Sequence, residues 1–306
     1  MGCNPIIFLF GPTAAGKTEL ACALAEGIGE IISVDSMQVY REMDIGTAKP
    51  TDAQRLRVPH HLVDVVPPNR RFSAGDFRRI ASRLIEEVHK RGKLPFLVGG
   101  TGLYFKTIEY DLLDVPPGDL RLRDSLYRME EKSPGILHDR LKGVDPVAAE
   151  RLHPNDILRI VRALEIVQCT GSAYSRFLGR EKRKVISPLK IGLTLQREEL
   201  YRRIEERCSK MIASGLAREV HSLIERGCTE KHSSMNGLGY SHYVQYFKGC
   251  LSHGETVRLF IRDTKRYAKR QITWFRREKD TAWYLPDDFE VIRKRVLGYI
   301  ESTGFM

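Results

Sequence analysis

Gly11-Pro12-Thr13-Ala14-Ala15-Gly16-Lys17-Thr18 is the stretch whose reading decides the fold. An apolar run, Ile6 to Phe10, precedes it, and a helical pattern, Glu19 to Glu26, follows it. Strand, glycine-rich turn and helix in that order make a phosphate-binding loop. Backbone amides of such a loop and of the first helical turn point at one place and favour an anion there. Gly11 and Gly16 permit the tight turn and the close approach of phosphate. Pro12, Thr13, Ala14 and Ala15 complete the cradle, Lys17 supplies a mobile point charge, and Thr18 offers a hydroxyl to a magnesium ion. The motif specifies a diphosphate or polyphosphate, and leaves open which one and what is transferred.

Working outward, Ile6 to Phe10 reads as a buried parallel strand because it is continuously apolar. Leu20, Ala23 and Leu24 give the following helix its inner face. Glu30 to Val34 is a second strand, ending at Asp35-Ser36. Arg78 to Arg91 is an amphipathic helix with Ile80, Leu84, Ile85 and Val88 inward. Pro95 to Val98 is a third strand, closed by Gly99-Gly100-Thr101-Gly102. This alternation predicts an open α/β sheet whose ligands lie beyond the carboxyl ends of the strands. The phosphate loop, Asp35 and Gly99 to Gly102 are therefore expected to converge. Pro116-Pro117-Gly118 breaks the pattern, and helical segments rich in Arg and Glu follow. Pro154 is placed to start a helix over Asn155 to Gln168, and Gly179 to Lys184 is a basic flexible stretch. Leu189 to Leu195 looks like a strand returning to the sheet, and Glu198 to Ile224 and Thr256 to Trp274 are mostly helical. The expected fold class is α/β, a parallel sheet core like that of the P-loop nucleoside triphosphate hydrolases. Residues 1–117 and 185–306 form that core, and residues 118–184 form a helical insertion.

At 306 residues, 42% apolar and 29% charged, the chain can bury a large core with a smaller attached unit. Its formal charge of +11 suggests a polyanionic partner, nucleic acid first. The six cysteines form no CxxC pair and no zinc spacing, which fits reduced thiols in a cytoplasmic protein. No cleaved leader, myristoylation signal or membrane span is expected. No helix shows a sustained heptad seam, which leaves the oligomeric state open; a monomer is the expectation.

Several residues can carry chemistry. Asp35, at the end of the strand beside the loop, could accept a proton or position magnesium through water. It could equally cap a turn, a role for which Ser36 competes. Thr101 lies on a glycine-rich turn after a strand, where it could hold an acceptor or a diphosphate. Tyr104 reads as a packed aromatic. Lys49, in the polar segment Asp44 to Lys49, is a candidate for phosphate. His60, His61 and Asp64 lack a third well-spaced soft ligand, which argues against a metal site. Arg262 to Lys279 holds eight Lys or Arg against two acids, interleaved with Tyr267, Trp274 and Phe275. On a helix, Lys265, Arg266, Lys269 and Arg270 make a broad basic surface suited to phosphodiesters, with aromatics near enough to stack on an unstacked base. Arg180 to Lys184 adds a second basic cluster.

The ordered set of motifs resembles the tRNA dimethylallyltransferase (tRNA isopentenyltransferase) family, bacterial type, nearly end to end. The resemblance rests on Gly11 to Thr18, Asp35-Ser36-Met37-Gln38-Val39-Tyr40-Arg41, and Met43 to Pro50. It continues through Pro59-His60-His61-Leu62, Gly99 to Tyr104, Arg162-Ala163-Leu164-Glu165 and Tyr267 to Phe275. It implies transfer of a dimethylallyl group from dimethylallyl diphosphate to N6 of adenine 37 in tRNAs that read codons beginning with U. By the same resemblance, Lys17, Thr18 and magnesium neutralise the leaving diphosphate. Asp35 takes a proton from the adenine amine, and Thr101 holds acceptor and diphosphate. Ser36, Gln38, Arg162 and Gln271 join the basic residues in binding substrate. The insertion would clasp the anticodon stem-loop. One departure stands out: Asn236 occupies a position where some bacterial members carry an arginine that touches the diphosphate, and Lys49 is the candidate replacement. Ser241-His242 also departs from a commoner basic-acidic pair. Two other classes remain in view: a small-molecule kinase, which would consume ATP, and a non-catalytic RNA-binding protein with a relic loop.

Overall fold

The computed structural model describes residues 5–111, 115, 118–177 and 183–305. The chain divides into two compact units, Met1–Glu109 with Ile186–Met306, and Tyr110–Val185. The first unit opens with β1 (Ile7–Phe10), α1 (Lys17–Ala25), β2 (Gly29–Val34), α2 (Asp52–Arg57), β3 (His60–His61), α3 (Ala74–Lys90), β4 (Leu94–Gly99) and α4 (Gly102–Glu109). The second unit holds α5 (Leu120–Lys132), α6 (Ile136–Val144), α7 (Pro146–Arg151) and α8 (Ile157–Thr170). The chain then returns through β5 (Leu189–Leu193), α9 (Arg197–Ala213), α10 (Leu216–Glu225), α11 (Tyr240–Phe247), α12 (His253–Phe275), β6 (Thr281–Tyr284) and α13 (Phe289–Thr303).

The six strands run parallel in the order β3-β2-β4-β1-β5-β6. All residues of β1, β2 and β4 are buried, which is why their sequences read as continuous rather than alternating apolar runs. Successive side chains still point to opposite faces. Ile7, Leu9, Ile31, Val98, Ile191 and Leu193 pack with α1 and α13 on one side. Phe8, Phe10, Ile32, Val34 and Leu97 pack with α3, α4 and Phe275 on the other. A further apolar cluster joins α9 to α12 and takes in Val39, Tyr40 and Met43.

The helices start where side chains replace missing backbone partners. Ser73 accepts from Asp76 N at 3.1 Å while Asp76 accepts from Ser73 N at 3.1 Å, a reciprocal cap on α3. Ser252 and Glu255 do the same for α12. The start of α8 differs from expectation: Asp156, not Pro154, caps it, so the helix begins at Ile157. The strand β6 and the helix α13 lie beyond the segments expected from periodicity.

The division of the chain also falls earlier than the proline break. Tyr110 forms an antiparallel bridge with Lys184, and Asp111 N donates to Arg183 O at 3.0 Å, so both connecting segments belong to the second unit. That unit has its own core, including Leu126, Leu137, Leu141, Ile160 and Leu164. Pro116, Pro117 and most of the Gly179 to Lys184 stretch lie outside the described residues. At the edge of the first unit, buried Lys190 pairs with Glu109 at 2.7 Å and Glu278 at 3.3 Å, and Lys106 pairs with Glu278 at 2.8 Å.

Phe275 anchors the carboxyl end of α12 against the sheet, stacked on Phe10 with centroids 4.6 Å apart. It is 1% exposed. Replacing Phe275 by Ala should destabilise the first unit by about 3–5 kcal/mol, the usual cost of a phenylalanine-sized cavity. Urea unfolding of both proteins checks this, and a loss under about 1 kcal/mol would show that the contact is not structural.

Candidate active site

Three strand ends and side chains from helices α1, α2, α9 and α12 build the cleft. After β1 the loop turns into α1 through Gly16, whose φ of 85° is open to glycine and strained for other residues. Gly16 brings no capping side chain, so the first-turn amides of α1 face the cleft without an internal competitor. Lys17 Nζ donates to Gly11 O at 3.0 Å and Pro12 O at 2.7 Å. Burial and the nearby Arg207 guanidinium lower the Lys17 pKa to about 7, while Asp35 works in the opposite sense. Burial also lowers the Arg207 pKa, again opposed by Asp35. Two cations and one carboxylate thus share a poorly hydrated space.

The ends of β2 and β4 are tied together across the cleft floor. Asp35 Oδ1 accepts from Met37 N at 2.8 Å and Gln38 N at 3.3 Å, so this aspartate shapes a turn and lines the cleft at once. Thr101 Oγ1 accepts from Ser36 N at 3.2 Å. Tyr267, from α12, hydrogen-bonds Thr101 and Gln271, and burial and Asp35 push its pKa upward. Gln271 accepts from Thr13 N at 2.8 Å and donates to Gly100 O at 3.0 Å, bridging the phosphate loop to the β4 turn. Gln38 accepts from Ser33 Oγ at 2.8 Å and donates to Ala48 O at 3.1 Å. The segment carrying Ala48 is itself held by Glu219 of α10, which accepts from Asp44 N, Ile45 N and Gly46 N at 2.8–3.2 Å and from Tyr240 Oη at 2.6 Å. The resulting cleft has a volume of about 300 Å³. The stretch Thr13 to Glu19, Asp35, Gln38, Ala48, Arg207, Tyr267 and Gln271 all line it.

Other expected site residues fall elsewhere. Lys49 is corrected: its ammonium is taken by Tyr40 O at 2.7 Å, Asp44 at 2.6 Å and Asp64, which uses all three of its donors away from the loop. Asn236 is exposed and does not line the cleft. The arginine of this cleft is Arg207, which the sequence reading missed. Its signal was present: α9 buries Leu200, Ile204, Cys208 and Met211, and Arg207 sits on the same stripe. Arg162 lies in the second unit, paired with Glu165, a buried carboxylate that also binds Arg123 at 2.8 Å. Lys265 pairs with Glu205 at 2.5 Å, whereas Arg266, Lys269 and Arg270 line a separate groove on α12. His60 bonds Val58 O, His61 bonds Glu30, and no group of three or more metal-binding side chains occurs among the described residues. Tyr104 is packed, stacked on Phe77 at 4.2 Å. Among the described residues no helix is long and apolar enough to cross a membrane.

A parallel sheet with a phosphate loop, two cations and an aspartate–threonine–tyrosine group at its strand ends defines a P-loop enzyme that works beside a bound diphosphate or polyphosphate. Residues 38–278 match the family model described as IPP transferase. The chain is 48% identical over 299 residues to tRNA dimethylallyltransferase 2 of Geotalea uraniireducens, covering 96% of each chain. It is 47% identical over 302 residues to tRNA dimethylallyltransferase of Geobacter metallireducens, covering 96% of this chain and 97% of that one. Among solved structures it is similar to the full-length tRNA isopentenylpyrophosphate transferase of Bacillus halodurans, with a TM-score of 0.74, 38% identity and 98% of each chain covered. It is also similar to a eukaryotic dimethylallyltransferase acting on tRNA, with a TM-score of 0.77, 29% identity, and 89% of this chain and 70% of that one covered. The chain belongs to the IPP transferase family, as a bacterial-type tRNA dimethylallyltransferase family member.

Because the Lys17 pKa is lowered from 10.5 to about 7, the free protein holds this amine largely neutral at pH 8. An arriving diphosphate favours the ammonium, so binding above pH 7 draws a proton onto Lys17. Calorimetry of inorganic diphosphate at pH 8, in buffers of different ionisation enthalpy, should show more proton uptake for the wild type than for Lys17→Met. The difference should vanish at pH 5.5, where the amine is already charged. Equal uptake by both proteins at pH 8 would contradict the assignment.

Proposed function

We propose that this chain transfers a dimethylallyl group from dimethylallyl diphosphate to N6 of adenine 37 in tRNA, releasing diphosphate, with the cleft residues dividing the work. The observation that carries the reading is that Asp35, tied through Ser36 to the Thr101 turn, shares one cleft with Lys17 and Arg207. The loop amides, Lys17 and Arg207 hold the diphosphate and stabilise charge that grows as the carbon–oxygen bond breaks. A bond forms between the allylic carbon and N6, and the amine loses a proton. Asp35, held by Met37 N and Gln38 N through one oxygen, accepts that proton through the other. Thr101 and Tyr267 orient the acceptor, and Gln38 contacts the base.

Magnesium fits this donor set. It is commonly held by one or two protein oxygens plus substrate phosphates, and Thr18 places a hydroxyl at the start of α1 within the cleft lining. When bound there it would neutralise phosphate charge. The acceptor adenine must leave the anticodon-loop stack to reach the cleft. The second unit, with its Arg- and Lys-bearing helices, is assigned to the anticodon stem-loop.

Labelled dimethylallyl diphosphate, unmodified tRNA and magnesium test the reading. Label should enter adenine 37 with the wild type. Asp35→Ala should lower kcat by about 10²–10⁴, the usual contribution of a general base. Arg207→Gln should raise the KM for the donor roughly 10- to 100-fold, the worth of a charge-assisted bond. Absence of label from folded protein, with ATP consumed instead, would replace prenyl transfer by phosphoryl transfer.

A further inference from the structure

Glu219, in the first turn of α10, does not line the cleft, yet both of its carboxylate oxygens hold a loop that does. Oε2 accepts from Asp44 N at 2.9 Å and Ile45 N at 2.8 Å, and Oε1 accepts from Gly46 N at 3.2 Å and Tyr240 Oη at 2.6 Å. Consecutive backbone amides that converge in this way form an anion-binding concavity. Here the protein fills it with its own side chain. Burial and the Glu219 carboxylate push the Tyr240 pKa upward, so the phenol stays a donor. Gly46 permits the contact, since a Cβ there would stand 2.5 Å from the Tyr240 ring.

The other side of the same loop meets a residue of the cleft. Ala48 N donates to Ile45 O at 3.1 Å and Lys49 N to Asp44 O at 3.2 Å, so residues 44–49 turn as one piece. With the amides of residues 44–46 turned to Glu219, the carbonyls of Thr47 and Ala48 accept from Gln38 Nε2 at 3.3 and 3.1 Å. Gln38 Oε1 accepts from Ser33 Oγ at 2.8 Å. Both protons of the carboxamide nitrogen are thereby engaged by the loop. What remains to Gln38, in the cleft it lines, is the second lone pair of Oε1. That lone pair suits an exocyclic amine and repels an exocyclic oxygen. A loop free to turn would let the carboxamide flip and present a donor in its place.

We propose that Glu219 is a positioning residue for acceptor selection: by filling the amide concavity of residues 44–46 it fixes the Thr47 and Ala48 carbonyls, and through them the face that Gln38 shows to the target base. The proposal rests on the reading that Gln38 contacts adenine in the cleft. The concavity takes a carboxylate and not merely a side chain of that size. A carboxylate accepts from the three amides and the phenol together, whereas a carboxamide would set its own N–H groups against those of the backbone.

Binding of anticodon stem-loops in the presence of inorganic diphosphate tests this without turnover. Two loops are compared, one with adenine at position 37 and one with purine, which lacks the 6-amino group. The wild type should prefer adenine by about 10- to 100-fold, the range for one buried hydrogen bond left unmade. Glu219→Ala should lose that preference while its affinity for inorganic diphosphate is unaltered. Acetate, which replaces the deleted carboxylate, should restore the preference of Glu219→Ala, and chloride at equal ionic strength should not. Glu219→Gln keeps the size of the side chain and occupies the space, so it should lose the preference and gain nothing from acetate. A Glu219→Ala protein that keeps the preference, loses diphosphate affinity alongside it, or fails to recover with acetate would overturn the proposal and leave the role of Gln38 intact. A wild type that binds both loops alike would instead remove the reading that the base is recognised in the cleft, and the proposal with it.

Discussion

The carboxamide of Gln271 connects segments that the chain order keeps far apart. One end takes the Thr13 amide of the phosphate loop and the other gives a hydrogen bond to the Gly100 carbonyl. The residue is 6% exposed, so both bonds are shielded from competing water. The layout of the cleft depends on this tie. It joins the phosphate loop to the Gly100 turn, it brings α12 across the strand ends, and it carries Tyr267 to Thr101 one turn earlier on the same helix. An amide suits this place because it donates and accepts at once; a carboxylate would meet the Gly100 carbonyl with repulsion.

Charge in the cleft is balanced closely. Lys17 and Arg207 disfavour each other in a space with little water, and Asp35 compensates both only in part. With Lys17 protonated, the two cations outnumber Asp35, which matches a ligand carrying several negative charges. The surrounding elements keep other cations away from the cleft: Lys49 is locked by Asp44 and Asp64, and Lys265 by Glu205. Selection among equally basic residues therefore lies in their carboxylate neighbours, not in their proximity along the chain.

Much of this was legible beforehand, for identifiable reasons. Parallel strands buried on both faces leave continuous apolar runs, so β1, β2, β4 and β5 could be found within a residue or two. The phosphate loop and the convergence of Asp35 and Thr101 followed from motif context and from the rule for strand ends. The short strand β6 has no buried run, since its residues are partly exposed at a sheet edge, and it escaped notice. Arg207 escaped because one cation in a helix full of charges, Arg197 to Lys210, is distinguished only by the stripe it shares. Lys49 was misjudged because three hydrogen-bond partners from separate segments, Tyr40, Asp44 and Asp64, cannot be seen as neighbours in a linear reading. The start of α8 moved because a side-chain oxygen at Asp156 competes with a proline two residues earlier, and the oxygen supplies the hydrogen bond.

The bridge between Tyr110 and Lys184 has a consequence for how such a chain is assembled. Paired residues in an antiparallel bridge are neighbours in space, so the two ends of the second unit meet each other. On the sheet side of that point, Glu109 and Lys190 meet as a buried ion pair. The helical unit therefore closes as a loop on a clasp rather than as a link in series. Because its two ends are already held together, a change in its length carries only the slowly growing entropic cost of a longer loop.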